Sequence, residues 1–462
     1  MESTEPRPRD RTGPLVAAVA ALTALLAGTA LPAAAVGEAG AAVGEADEAR
    51  YVVVLDDAAG DPATEAAEHG TEATQTFDSA VDGFTATMSA AEAERLAADP
   101  AVAFVTEDRV LAAVEPVEEA ATSASQLIGN QVRRVDGPAS STQAGDGGGD
   151  VGVNIAIVDS GIDRAHPDLN VRGGVDCSTG RPVSPGAALT DTTGHGTAVA
   201  GVAAARDNGF GVVGTAPGAP LWSVKVTDAG GSITIAGLVC AVDWITGTRT
   251  DADPGNDIAV ANISIAGGGT DDGRCGSTSE DALHAAICGS VRAGVSYVVA
   301  AGNGAQDLAR SIPAGYDEVL AVTAAADTDG RPGGDGPDAC PPSPLAITDD
   351  TAASFSNWAT SAADRARTVA APGACITSTS PGGLYSAARH GTSFASPVTA
   401  GAVALCLQSG RCPEGDGRES VARFRELVEG HNRKHPDHGY QGDPIRPVEA
   451  RHYGYLITTS LF

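Results

Sequence analysis

Three short segments of this 462-residue chain hold side chains that together could carry out nucleophilic chemistry. The first, Ile155-Ala-Ile-Val-Asp159-Ser160-Gly161, is an apolar run that ends in an aspartate and a glycine-containing turn. The second, Thr193-Gly194-His195-Gly196-Thr197-Ala198, has glycine on both sides of a histidine, which permits close backbone approach and presents the ring at a helix start. The third, Gly391-Thr392-Ser393-Phe394-Ala395-Ser396-Pro397, places a serine at the opening of a helix. Its Pro397 is expected in the first turn, where N–H groups have no intrahelical partner. Cleavage of an ester or amide by serine needs a hydroxyl, a base to take its proton, an acid to orient the base, and preorganised donors for the oxyanion. Taken singly, each segment has a plainer reading. Asp159 could make an Asx-turn, His195 could simply pack at a helix start, and Ser393 could be an N-cap.

Meeting in space requires a scaffold that gathers strand ends and helix starts. Buried-type strands are expected at Asn154–Val158, Leu221–Val226, Ile258–Ile265, Ser296–Ala300 and Val319–Ala324. Helical patterns lie at His195–Ala205, Ile233–Ile245, Glu280–Ala293 and Thr392–Gln408. That alternation implies a mainly parallel sheet covered on both faces, an α/β domain. Residues 145–150, 267–277 and 327–344 are Gly/Asp/Pro-rich loops. Upstream, Tyr51–Leu55, Val81–Met88 and Ala101–Thr106 read as strands, with helices over residues 62–76 and after Ser89, where Glu92 completes a capping-box spacing. This order, β-α-β-α-β, describes a small α+β module. Beyond Gly410 lie a polar helix, Glu419–Glu429, and a His/Asp/Pro-rich stretch expected to be a solvated tail. Its His431, His435 and His438 could place two rings on one helix face, but Pro436 interrupts that helix and no acidic or cysteine ligand completes a recognised set, so no metal is assigned there.

The formal net charge is −30, and residues 37–120 hold 20 acids against three arginines. No basic stripe exists to displace counterions, so nucleic acid is not an expected partner. Eight cysteines, all at or after Cys177 and with no C-x-x-C pair, fit disulfides in an oxidising compartment. Proximity favours Cys275–Cys288 and Cys406–Cys412, leaving Cys177–Cys240 and Cys340–Cys375 among many allowed connectivities. Arg7, Arg9 and Arg11 precede the apolar run Leu15–Leu31 and then Pro32-Ala33-Ala34-Ala35, the pattern of a cleaved signal peptide over residues 1–35. No later run is long enough to span a bilayer, so the expected product is secreted, with no membrane attachment after signal removal.

The three chemical segments, and their order Asp, His, Ser, resemble the signatures of the subtilisin-like serine peptidases, the subtilases. His166-Pro-Asp-Leu169, Gly211–Ala219, Val224-Lys-Val226 and Ala300-Ala-Gly-Asn303 extend the resemblance across roughly residues 126–410. It implies a three-layer αβα subtilisin-like domain over residues 129–410. In it Ser393 is the nucleophile, His195 the general base and Asp159 its orienter, and Asn303 is the side-chain oxyanion donor. Ser264, Ile265, Ala266 and Gly267 match the segment that pairs with extended substrate. Ala266 stands where a glycine is usual, and the insertion Gly268–Ser279 is expected to re-roof the pocket beside it. Residues 51–111 resemble the inhibitor prodomain of many subtilases, after a linker at 36–50 and before a linker with a processing site at 112–128. Residues 411–462 form a C-terminal extension. The resemblance implies a zymogen acting on proteins or peptides, with its own prodomain as intramolecular inhibitor. It implies no cofactor for the chemistry and allows a structural calcium ion. A catalytically silent binding protein on the same fold is the alternative. An esterase or metallohydrolase is disfavoured, since Ser393 lacks a G-x-S-x-G setting and no H-E-x-x-H occurs.

Overall fold

The structure is a computed structural model that describes residues 48–113, 121–122, 125–183, 186, 190–340, 347–448 and 450–462. The expected signal peptide and nearly all of the first linker lie outside the described residues, as does much of the processing stretch. Nine strands form the principal sheet, eight of them in the order Tyr455–Leu456, Thr368–Pro372, Leu320–Ala326, Ser296–Ala300, Ile258–Ile263, Asn154–Asp159, Leu221–Lys225, Val171–Asp176. Along that path every pairing is parallel; the short strand Thr351–Ala352 adds one antiparallel pair to Leu320–Ala326. A parallel strand covered on both faces sends alternate side chains into two different cores. Ile155 and Ile157 join the cluster containing the helices His195–Ala204 and Thr392–Gln408. Ala156 and Val158 join the one containing Ile235–Thr250 and Ala282–Arg292. The expected three-layer α/β architecture is present. After Asn154–Asp159 the chain builds strands on one side and then crosses to the other. Asp159 therefore stands at the carboxyl end of a topological switch point, where open α/β sheets form their clefts.

The upstream module is a four-stranded antiparallel sheet with the helices Pro62–Glu68 and Ala90–Ala97 on one face. The first helix is shorter than expected, because the chain leaves it to form an additional strand, Gln75–Phe77, on the sheet edge. The first strand starts at Glu48, inside the stretch read as linker. The second helix carries the anticipated capping box between Ser89 and Glu92. Val53 and Leu55 pack under these helices, while Val52 and Val54 pack onto the second core of the large domain. One sheet thus closes its own core with one face and docks with the other.

All eight cysteines form disulfides, pairing Cys177–Cys240, Cys275–Cys288, Cys340–Cys375 and Cys406–Cys412 with Cα–Cα distances of 5.2–5.8 Å. Among the described residues no helix is long and apolar enough to cross a membrane.

The C-terminal segment is not the solvated tail expected. The helix Gly417–Lys434 buries Val421, Phe424 and Val428 in the first core, a spacing of three and four residues that makes one apolar stripe. Phe424 stacks on Phe462 with centroids 5.6 Å apart. Tyr455–Leu456 extends the principal sheet beside Thr368–Pro372. The buried Asn432 donates through Nδ2 to Leu456 O at 2.8 Å, tying the helix to that strand. The segment's polarity masked this packing, because the stripe is only three residues wide and its partner surface comes from distant sequence. Phe424→Ala is accordingly expected to cost about 3–5 kcal/mol in denaturant-induced unfolding. A loss below about 0.5 kcal/mol, usual for a surface change, would contradict this packing.

Candidate active site

Asp159 ends its strand fully buried, and both its oxygens lie 2.9 Å from His195 Nδ1. Oδ1 also accepts the Ser160 N–H at 2.7 Å. A buried carboxylate needs such partners to remain ionised. Close backbone approach makes the contact geometrically available. A Cβ on Gly196 would lie 2.1 Å from Gly161 O, and Gly161 itself has φ +103°. His195 begins its helix after Gly194, which adopts φ 83°. Asp191, unremarked in the sequence, fastens this corner. It accepts from Ser160 Oγ, Gly194 N, Thr197 N and Thr197 Oγ1 at 2.6–2.8 Å. Burial opposes the His195 imidazolium, but the charge and hydrogen bond of Asp159, with Asp191 behind, leave its pKa raised overall.

Ser393 lies in the first turn of Thr392–Gln408, and His195 packs against the next residue, Phe394, with ring centroids 5.4 Å apart. Pro397 sits in the second turn, not the first. Its missing N–H would have bonded to Ser393 C=O, so that carbonyl is free to accept Ser264 Oγ–H at 2.8 Å. Ser264 in turn accepts from Asn262 Nδ2 at 2.9 Å, and Asn262 Oδ1 accepts from Ser396 Oγ at 2.7 Å. A proline that would merely weaken a helix here opens a cross-link between the serine helix and the strand leading to Ser264.

Asn303 Oδ1 accepts both Thr392 N and Thr392 Oγ1 at 2.9 Å, which leaves Nδ2 as the outward donor. Gly302 N donates to the same Thr392 Oγ1 at 3.0 Å. A Cβ on Gly391, at φ +147°, would lie 2.9 Å from Ser393 Oγ and 3.5 Å from Asn303 Nδ2, so the two atoms border one small space that glycine keeps open. His195, Ser393, Asn303, Ser264, Ile265 and Ala266 all line one cleft of about 610 Å³. Gly267 instead faces the upstream module: a Cβ there would meet the Leu111 side chain at 2.4 Å. The Gly268–Ser279 insertion supplies none of the cleft lining, contrary to the expected roof. Asp272 gathers the insertion through the N–H groups of Arg274, Gly276, Thr278 and Ser279, and Cys275–Cys288 pins it to a helix.

The upstream module reaches this cleft with its last strand. Val110–Ala113 pairs antiparallel with Ser232–Thr234, and Ala112 and Ala113 line the cleft beside Ser393. Asp108 Oδ1 accepts Ala236 N at 2.7 Å, capping the helix Ile235–Thr250, and Thr106 Oγ1 accepts Ala282 N at 3.2 Å at the start of Ala282–Arg292. In return Asp243 accepts Ser79 N and Ala80 N, at 3.0 and 2.8 Å. The His166-Pro-Asp-Leu169 segment is structural. Its buried Asp168 accepts Asn208 Nδ2 and Val212 N, and His166 Nε2 lies 3.0 Å from Leu384 O.

Several clusters combine groups able to bind a cation. Asp327, Asp329 and Asp349 bring one carboxylate oxygen each within 4.8 Å of one another. Asp327 Oδ2 lies 3.1 Å from Arg134 Nε, and burial pushes that carboxyl up to about 8 against the pull of the guanidinium. An all-oxygen set of this kind fits a hard cation such as calcium. Cys275 and Cys288, near Glu318, are consumed by their disulfide.

A buried carboxylate–imidazole pair, a serine at a helix start and a side-chain amide in one cleft define a serine hydrolase arrangement. Residues 150–427 match the subtilase family and residues 50–113 match the peptidase inhibitor I9 family; the chain belongs to the subtilases. It is 33% identical to subtilisin E of Bacillus subtilis (strain 168) over 330 residues, 71% of each chain. It is likewise 33% identical to an alkaline protease of Alkalihalobacillus alcalophilus, over 70% of this chain and 68% of that one. Subtilisin Savinase of Lederbergia lenta is 35% identical over 60% of this chain and 83% of its own length. The protein is a serine-type endopeptidase made as a zymogen behind an I9 prodomain. Thr392→Val should lower kcat/KM on a peptide substrate roughly tenfold, the equivalent of one hydrogen bond, by loosening the Asn303 amide. Unchanged kinetics would show that the amide is oriented by other groups.

Proposed function

We propose that this protein is a secreted endopeptidase that cleaves peptide bonds through Asp159, His195 and Ser393 by way of an acyl-enzyme. One observation carries the reading: a buried carboxylate bonded to an imidazole shares its cleft with the serine, the amide and the end of the prodomain arm. Ser393 Oγ attacks the scissile carbonyl carbon while His195 Nε2 takes its proton. Asp159 holds Nδ1–H and stabilises the imidazolium. The carbonyl oxygen, now an oxyanion, accepts from Asn303 Nδ2 and from the Ser393 N–H, which no intrahelical carbonyl claims. The tetrahedral intermediate collapses as His195 returns the proton to the leaving amine. Water, deprotonated by the same ring, then releases the acyl group and restores Ser393.

Ser264, Ile265 and Ala266 offer the cleft wall along which an extended substrate lies, and Gly267 leaves room for a side chain such as Leu111. The prodomain arm holds that groove in the zymogen, and self-cleavage falls within residues 112–128. An N-terminal sequence of the active enzyme that still included Tyr51 would oppose this. The chemistry needs no cofactor; Asp327, Asp329 and Asp349 would hold a structural calcium ion.

Ser393→Ala should reduce turnover by roughly 10⁶ and Asn303→Ala by roughly 10²–10³, the magnitudes known for such changes in subtilisin. Hydrolysis surviving Ser393→Ala at full rate would refute the mechanism. The base must be neutral to act, so kcat/KM should fall as pH drops through the His195 pKa, which lies above the ordinary value of about 6.5. Asp159→Asn removes the charge that favours the imidazolium, so this acid limb should move to lower pH while the rate falls by roughly 10⁴. A limb that stayed in place would mean another group titrates.

A further inference from the structure

The three C-terminal histidines are drawn together by the proline that interrupts their helix. The helix Gly417–Lys434 ends, Pro436 opens a short turn to His438, and the chain folds back on itself. His438 meets His431 with ring centroids 5.0 Å apart and planes at 85°. His435, one helical turn beyond His431, lies 4.7 Å from it, centroid to centroid. An acid that joins the two rings comes from the start of the large domain. Asp136, in a left-handed conformation at φ 60°, places Oδ2 3.6 Å from His438 Nδ1. Asp136, His431 and His438 thus bring one ligand atom each within 4.8 Å of one another.

The protons at this cluster are constrained by their partners. His438 Nε2 lies 3.1 Å from Ile457 O, and a carbonyl only accepts, so Nε2 carries the hydrogen. In the neutral ring Nδ1 is then a lone pair. It faces Asp136 Oδ2, also an acceptor, which already takes the Thr458 hydroxyl hydrogen at 2.9 Å. Two lone pairs 3.6 Å apart and turned toward each other are a pair of acceptors that a shared cation would satisfy. Arg134 is turned to Asp327 and Asp350 and donates to the His438 and Gly439 carbonyls. The arrangement at His438, one ring nitrogen on a backbone carbonyl and the other aimed at the cluster, is how metal-bound imidazoles are oriented.

We propose that Asp136, His431 and His438 form a binding site for a divalent transition-metal ion of the zinc type, with His435 as the nearest further ligand. Two imidazoles and one carboxylate suit such an ion, whereas calcium prefers an all-oxygen shell. Bonds of about 2.0–2.2 Å would draw the three ligand atoms closer than they now stand, a movement open to side chains at a helix end. The metal would join the beginning of the large domain to its last helix and, through Ile457 and Thr458, to its final strand. None of these residues lines the catalytic cleft.

Metal-stripped full-length chain titrated with zinc chloride in a calorimeter should bind one ion per chain, and its unfolding temperature should rise, because the ion binds only the assembled site. Cobalt(II) in place of zinc should give visible d–d bands of low-symmetry coordination. His431→Ala and Asp136→Asn should each weaken binding by more than the roughly 10–100-fold lost with an outer-shell partner. Asn tolerates the left-handed backbone and still accepts from Thr458, so circular dichroism and peptide hydrolysis should be retained and separate lost binding from misfolding. Absence of saturable zinc binding, equal affinity in the His431→Ala/Asp136→Asn double variant, or calcium binding at this site as tightly as zinc would each overturn the proposal.

Discussion

A carboxylate with no exposure to solvent has to be satisfied by its neighbours, and much of this molecule is arranged around Asp159. Its two oxygens are taken up by His195 Nδ1 and Ser160 N. The His195 contact requires the Asp159 turn and the histidine helix to approach closely, and Gly196, whose Cβ would lie 2.1 Å from Gly161 O, permits it. Asp191 braces the same corner from outside, and the central strand delivers the carboxylate to the switch point of the sheet. Remove that pairing and a buried charge is left without compensation, typically a loss of about 3–5 kcal/mol.

The opposite wall is built with equal economy. Pro397 frees the Ser393 carbonyl, Ser264 takes it, and the bond chain passes through Asn262 to Ser396 on the same helix. Thr392, beside the serine, orients the Asn303 amide while satisfying Gly302 N. Under the proposed mechanism, donors held in this way would need no rearrangement when charge develops, which is the condition for electrostatic stabilisation to be large.

The acidity of the upstream module also acquires a physical role. Asp108 caps a helix of the large domain while pairing with Arg50, and the Val110–Ala113 arm follows directly into the cleft. The module is therefore held by helix-terminus electrostatics, by a buried sheet face and by strand addition together. Its remaining acids lie mostly at the surface, where they raise net charge and solubility more than affinity.

Sequence alone was enough to identify the three chemical segments, their order, the α/β class, the small α+β module and the two short-range disulfides. Each rests on local pattern: period-two and period-3.6 hydrophobicity, cap spacing and glycines beside a reactive residue. Other features depended on partners far away in the chain. Asp191 looks like any loop aspartate until five donors surround it, the Thr193 N–H being the fifth, and the effect of Pro397 appears only when Ser264 arrives at the vacated carbonyl. The insertion after Gly267 could be seen but not its direction, which Asp272 and a disulfide decide. The C-terminal segment read as solvated because three apolar positions on a charged helix are weak until Phe462 and the sheet edge cover them. The same folding brings Asp136 to His431 and His438. Local order is written in neighbouring residues; the meeting of distant acids, rings and carbonyls is decided by packing.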